Sequence, residues 1–270
     1  MKFSVLLSVY YREKPEYFRL CLNSLLEQTL LPDEVVIVKD GTLTNELEQV
    51  IEEFRERCTW LTVIPLETNV GLGKALNEGL KHCSNDLVAR MDTDDICKPA
   101  RFEKQIAIFE KHPEYDLVSA WIEEFVDTTD NIRSVRTLPE FPEQIREYGR
   151  KRNPVNHPVA MFRKSSVMRA GGYQHFPLLE DYYLWARMLV SGALFYNIQE
   201  SLLYFRSSDD VFKRRGGWKY AVTEVKFMWR LYRIGYIGLM STLSNILIRF
   251  TVRIIPNSLR SWIYNKLLRK

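Results

Sequence analysis

Residues 86–95 read DLVARMDTDD. An apolar run from Leu87 to Met91 gives way at once to three carboxylates, Asp92, Asp94 and Asp95. The run predicts a strand over residues 86–91, so the acids crowd its carboxyl end. Carboxylates this close repel one another unless a cation or hydrogen-bond donors sit among them. Hard oxygen ligands suit Mg2+ or Mn2+, ions commonly held by one or two carboxylates plus substrate phosphates. The plainer alternative is a solvated acidic turn, with Asp95 capping a helix that starts near Pro99.

The flanking sequence repeats this layout. Short β-branched runs at residues 3–9, 34–38, 61–64 and 116–120 predict further strands. Between them lie helical patterns. Pro15 opens one helix, with Phe18, Cys21, Leu22 and Leu25 on one face. Thr44 is placed to cap a second, with Leu47, Val50, Ile51 and Phe54 at helical spacing. Residues 73–83 form a third, and Pro99 opens a fourth. Such alternation implies an α/β protein built on a mostly parallel sheet, with ligands at the carboxyl ends of its strands.

Two further turns fall on the same edge. Asp40-Gly41 ends the second strand and Asn69-Val70-Gly71 follows the third. Asp40 can accept from a base or ribose, and Asn69 and Gly71 can form a tight turn that lets backbone approach a ligand. Each is also ordinary turn chemistry. Gly71-Leu72-Gly73 is no dinucleotide fingerprint, because position 76 is Leu, and there is no GxxxxGK[ST] phosphate loop. Beyond residue 120 the expected order is a turn at 127–131, a charged helix at 143–152, a strand at 159–163, and a short helix ending at Gly171-Gly172. A helix over 180–190 and two short strands at 195–198 and 202–205 complete it.

The formal charge of +4 conceals a division. Residues 1–210 carry 25 Lys+Arg against 33 Asp+Glu, and residues 211–270 carry 13 against the single acid Glu224. The four cysteines match no CxxC or zinc spacing and read as reduced thiols. The N-terminal apolar run reads as a strand rather than a signal peptide. No stretch reaches the roughly 18 apolar residues of a membrane span. In the basic tail, Trp218, Tyr220, Phe227, Trp229, Tyr232 and Tyr236 mix with Lys219, Lys226, Arg230 and Arg233. Amphipathic basic helices with aromatics suit an anionic membrane surface. No nucleic-acid motif accompanies them.

Five segments in order, SVYYREKPEYF (8–18), LNSLLEQTLLPDEVVIVKDG (22–41), NVGLGKALNEGL (69–80), ARMDTDD (89–95) and LEDYYLW (179–185), resemble the inverting family 2 glycosyltransferases of GT-A fold. NPVNHPVAMFRKS (153–165) and KRRGG (213–217) are similar to bacterial members that build O-antigen, capsule or exopolysaccharide. The resemblance implies a nucleotide-sugar-binding half at 1–120, an acceptor half at 121–210 and a membrane-associating tail at 211–270. It implies nucleotide-sugar contacts from Val9, Tyr10, Glu13, Asp40, Asn69, Gly71 and Asp92, with UDP as the expected nucleotide. Asp94 and Asp92 match the metal motif for Mn2+ or Mg2+. Glu180-Asp181 matches the pair that supplies the catalytic base, with Asp181 the preferred residue. Where the family usually has Asp-Asp-Gly-Ser, this chain has Lys39-Asp40-Gly41-Thr42.

Inverting transfer is a single displacement in which a carboxylate removes the acceptor hydroxyl proton and a divalent cation stabilises the leaving diphosphate. The expected acceptor is an undecaprenyl-diphosphate-linked saccharide at the cytoplasmic face of the inner membrane. His157, Trp185 and Arg206 are weaker candidates for acceptor or phosphate contact, with core packing as the alternative for Trp185. The Lys213-Arg214-Arg215 run is a phosphate-binding candidate or a solvated face. Competing readings are a sugar-phosphate nucleotidyltransferase and a non-catalytic peripheral membrane protein. The first calls for a glycine-rich basic loop after the first strand, where this chain has VYYREKPEYF.

Overall fold

A computed structural model describes residues 1–207 and 217–254 of the chain. The element order begins β1 (Phe3–Val9), α1 (Pro15–Leu26), β2 (Glu34–Lys39), α2 (Asn45–Arg55), β3 (Leu61–Pro65), α3 (Leu72–His82), β4 (Leu87–Arg90). It continues β5 (Ile96–Cys97), α4 (Arg101–Lys111), β6 (Leu117–Val126), β7 (Thr128–Arg136), α5 (Pro142–Gly149), a 3-10 turn (His157–Val159), β8 (Met161–Arg163), α6 (Lys164–Arg169). It ends α7 (Glu180–Val190), β9 (Phe195–Arg206), α8 (Trp218–Arg233), α9 (Leu239–Ile254).

The strands form one sheet in the order β3-β2-β1-β4-β8-β6-β9-β5, with β7 beside β6. The pairs β3-β2, β2-β1 and β1-β4 are parallel, as is β6-β9, whereas β8 runs antiparallel to both β4 and β6. The chain winds outward from β1 to β3 on one side and then returns to β4 on the other. The β1/β4 boundary is therefore the topological switch point where a crevice opens at the strand ends.

Both faces of the sheet are covered at β1, β2 and β4, which is why these parallel strands are mostly apolar rather than alternating. Val5, Leu7, Val9, Val35, Ile37 and Ala89 pack in one core with α1, α2 and α4 residues such as Phe18, Val50 and Phe102. Leu6, Val36, Val38 and Val88 point the other way, into a second core with Leu76 of α3, Trp185 of α7 and Phe227 of α8. Thr44 caps α2, its hydroxyl accepting from the Leu47 amide. All four cysteines are buried free thiols.

Two sequence expectations are corrected. Residues 127–131 are not a broad turn: Asp127 alone turns the chain, at φ 64°, and the β-branched Thr128 and Thr129 already belong to β7. The strands expected at 195–198 and 202–205 are one strand, β9, whose polar middle is accommodated by register shifts against β6 between Ala120 and Glu123.

The C-terminal helices are docked on the body. Phe227, Met228 and Leu231 of α8 enter the second core. Glu224 is buried and accepts from Arg249 at 2.6 Å, and Arg249 also donates to the Lys151 carbonyl. The outer side of α9 exposes Met240, Leu243, Leu247 and Ile248. No helix among the described residues is long and apolar enough to cross a membrane. The Lys213-Arg214-Arg215 run lies outside the described residues.

Gly79 sets the height of α3 above the sheet, since a Cβ there would fall on the methyls of Leu6 and Val38. Gly79→Ala should therefore destabilise the protein by about 1–3 kcal/mol, the usual cost of overpacking. Urea unfolding checks this, and an unchanged midpoint would show that α3 lifts off the sheet freely.

Candidate functional site

The site is built at the carboxyl ends of β1, β2 and β4. Its base is a buried ion pair. Arg90, the last residue of β4, is 1 % exposed and its guanidinium donates to Asp92, which is about one-third exposed at 31 %. Burial opposes the Arg90 charge, and Asp92 more than offsets that opposition. Arg90 Nε and Nη1 have no hydrogen-bond partner among the described residues. Arg101 of α4, itself fully buried, donates to the Arg90 carbonyl at 2.7 Å and so pins the strand end from below.

Asp92 is thus neutralised, and Asp94 is not. Burial pushes the Asp94 carboxyl up to about 7, and the Asp92 and Glu13 charges add to the effect. Asp95 is buried and is likewise pushed up, by desolvation first and then by Asp94 and Asp92. One Asp95 oxygen accepts from the Arg206 amide at 2.8 Å, so this residue anchors β9 rather than capping α4. Among the described residues no three His, Cys, Asp or Glu side chains converge as a complete metal cage. Asp94, with Asp92 beside it, is instead a partial hard-oxygen site. Such a donor set fits a cation whose shell is finished by water and a diphosphate.

The nucleotide-side candidates surround this point. Val9 is buried and its carbonyl accepts from the Asp40 amide at 2.8 Å, while Tyr10 is exposed beside Tyr11. Glu13 accepts from the Thr93 hydroxyl and from the Lys14 amide, tying the β1–α1 loop to the acidic loop. Asp40 is buried, and its two carboxylate oxygens accept from the amides of Val70 and Gly71 at 2.7 and 3.1 Å. Asn69 returns a bond to the Asp40 carbonyl. Asp40 therefore shapes the loop that starts α3. Gly41 lies beneath it at φ +87°, where a Cβ would sit 2.8 Å from the Asn69 amide nitrogen. Lys39, in place of the family's first Asp, is paired with Glu48 at 2.6 Å.

The acceptor-side candidates meet the rim through Tyr173. Asn77 of α3 clamps the Tyr173 backbone, donating to its carbonyl and accepting from its amide. The Tyr173 hydroxyl bonds His157 Nε2 at 2.9 Å, and desolvation keeps the imidazole neutral. Burial raises Tyr173; Arg90 opposes that rise, while the Asp181 and Asp92 charges add to it. The two acidic motifs thus act on one phenol. Asp181 opens α7 and accepts from Asn153 Nδ2 at 2.6 Å. Glu180 is half-buried and pushed up by burial; its stem lies against Gly73 at the start of α3.

Two weaker candidates are placed elsewhere. Trp185 is fully buried among His157, Phe162 and Phe195, so it presents no face to a sugar and belongs to the core. Arg206 is buried between the rings of Tyr17 and Phe125 and donates to the Asp94 and Asp127 carbonyls, holding the acidic loop from behind. Sequence reasoning missed Arg90, Arg101, Asn77, Asn153 and Tyr173. Arg90 and Asn153 sit inside quoted motifs, but nothing in their spacing marks them as charge and hydrogen-bond partners.

A family model described as glycosyl transferase family 2 matches residues 4–171. The chain belongs to glycosyl transferase family 2. It is 40% identical to the UDP-Gal:alpha-D-GlcNAc-diphosphoundecaprenol beta-1,3-galactosyltransferase of Escherichia coli, over 100% of this chain and 97% of that one. It is also 40% identical to the amylovoran biosynthesis glycosyltransferase AmsE of Erwinia amylovora, over 98% of both. Among solved structures it is similar to S. aureus TarS 1-349, with a TM-score of 0.67 at 21% identity over 99% of this chain and 75% of that one. That likeness shows the fold: the α/β GT-A sheet with helices following it.

Asp92→Ala leaves the buried Arg90 charge unpaired and should cost about 3 kcal/mol, while Arg90→Met combined with Asp92→Asn should recover most of it. Denaturant titration of the single and double variants tests this. An Asp92→Ala protein as stable as wild type would refute the pairing.

Proposed function

We propose that this glycosyltransferase moves a hexose or N-acetylhexosamine from a UDP-sugar to a hydroxyl of a polyprenyl-diphosphate-linked saccharide, with inversion, in surface polysaccharide synthesis. The observation that carries the reading is the pair of separately held acidic motifs, the Asp92–Asp94 loop fixed by Arg90 and Arg206 and Asp181 fixed by Asn153. One motif faces the donor and the other faces the acceptor. The full-length likeness to a beta-1,3-galactosyltransferase that acts on a diphosphoundecaprenol-linked sugar supports the substrate class. A β product is what single displacement on an α-linked UDP-sugar gives.

Asp181 is the base. Asn153 holds one of its oxygens, which aims the other at an incoming hydroxyl and removes its proton as the oxygen attacks. Glu180 lines the acceptor side beside the α3 start. The backbone from Asn69 to Gly71, shaped by Asp40, and the loop bearing Tyr10 and Glu13 border the nucleotide. Asp94, assisted by Asp92, would hold Mn2+ or Mg2+, which when bound stabilises charge on the leaving diphosphate. Neutral His157 orients the Tyr173 hydroxyl between the two halves. The exposed apolar side of α9 suits attachment to the cytoplasmic surface of the inner membrane, with the 211–270 segment as the attaching part.

Asp181→Asn should lower kcat by roughly 100-fold or more and leave UDP-sugar KM unchanged, because only the proton transfer is lost. Release of UDP at the wild-type rate from an acceptor-dependent assay would remove Asp181 from this role. A change of Leu247 and Ile248 to Glu should release the protein from anionic vesicles in a flotation assay, and undiminished flotation would refute the α9 contact.

The folded Asp94 carboxyl holds its proton to about 7, whereas the unfolded one loses it in the usual carboxylate range. Stability of the metal-free protein should therefore fall as pH rises across that window. Mn2+ with UDP substitutes for the proton, so its protection should grow over the same window. Thermal melts at about pH 5 and about pH 8 measure both slopes. Equal Mn2+ protection of wild type and Asp94→Asn would exclude Asp94 as a ligand.

A further inference from the structure

A second concavity, of about 440 Å3, lies between the segment before α7 and the outer face of α8. His175 and Phe176 form one wall, and Lys226, Trp229, Arg230 and Arg233 form the other. The four α8 residues fall at i, i+3, i+4 and i+7 and share one face of that helix. They are all exposed, whereas the neighbouring Phe227, Met228 and Leu231 are buried in the core. Three cations on one face repel one another, and among the described residues no carboxylate forms an ion pair with any of them. The groove is nonetheless firmly built. Phe176 packs on Phe227 with ring centroids 5.1 Å apart, and the Arg230 guanidinium rests over the Tyr183 ring at 5.6 Å.

Its position gives it meaning. The segment that supplies His175 and Phe176 leads directly into Glu180 and Asp181, and Tyr183 under Arg230 is on the same helix as that pair. The donor's diphosphate is assigned to the acidic rim at Asp92 and Asp94, so a second anion site here serves the other substrate. We propose that this groove seats the diphosphate of the polyprenyl-diphosphate-linked acceptor, with Arg230, Arg233 and Lys226 as its ligands and Trp229 against the first isoprene units. The proposal rests on the lipid-linked acceptor reading above and adds the residues that bind it. Arginine is suited to the task because its planar fork pairs with phosphate oxygens two at a time. A ligand anchored there has its sugar directed toward the start of α7 and its lipid toward the exposed side of the C-terminal helices.

The test is binding of farnesyl diphosphate to the full chain, read by calorimetry, with UDP plus Mn2+ as the control ligand. Wild type should bind both at once. Arg230→Ala with Arg233→Ala should weaken farnesyl diphosphate by about tenfold or more and leave UDP unchanged, since two charge-assisted contacts are lost. Arg230→Lys should fall between, retaining charge without the fork. Both positions are exposed, so the melting temperature should hold; Lys226→Ala is a milder third variant that should weaken the probe without touching the Arg230–Tyr183 contact. Unchanged farnesyl diphosphate affinity in the double variant would overturn the proposal, as would displacement of the probe by UDP or by phosphatidylglycerol vesicles. Inorganic pyrophosphate should bind more weakly than the prenyl probe, and equal affinity would remove Trp229 from the site. Loss of UDP binding in wild type, with Arg230-dependent prenyl diphosphate binding intact, would instead sink the donor assignment and leave the groove standing.

Discussion

The site depends on one buried ion pair, Arg90 with Asp92. A fully buried guanidinium is tolerable only with a partner, and the partner it takes is the first carboxylate of the acidic loop. That choice divides the work of the three acids. Asp92 is paired with Arg90, Asp95 accepts from the Arg206 amide, and Asp94 is left desolvated, its carboxyl pushed up to about 7. Arg101 and Arg206 hold the surrounding carbonyls, so the loop cannot relax the crowding by moving away.

The second constraint is the junction between the halves. Tyr173 is clamped by Asn77 of α3 and bonded to His157 of the 157–159 turn. Its phenol lies in the field of both Asp92 and Asp181. Gly73 lies at the same junction, where an added Cβ would touch Tyr173 and Glu180 at ordinary van der Waals distance.

The charge division between body and tail acquires a structural sense. The one acid of the tail, Glu224, is buried and consumed by Arg249, which locks α9 to α8. The remaining α8 cations therefore face outward, beside the loop that leads to the base. The net charge of the chain records only the difference between an acidic body and a basic tail.

The strand–helix alternation of the first 120 residues, the cap at Thr44, the rim of polar turns and the two acidic motifs were all legible in the sequence. They depend on local periodicity and on residue types whose chemistry is intrinsic, and neighbouring residues carry that information. What tertiary structure alone decided is which partner each charge received. Arg90 follows an apolar run and reads as an ordinary strand end; in the fold its amide donates to the Ala160 carbonyl and its guanidinium is buried with Asp92 as its partner. Asp40 reads as a ligand contact, and the approach of the β3–α3 loop turns its oxygens onto two backbone amides. Trp185 reads as core before sugar platform, and the convergence of β8, β9 and the 157–159 turn makes it core. Burial and pairing are made by segments distant in sequence, and the energy of a charge depends on both. The residues that can do chemistry were therefore visible in the chain, while the fold determined which of them remained free to do it.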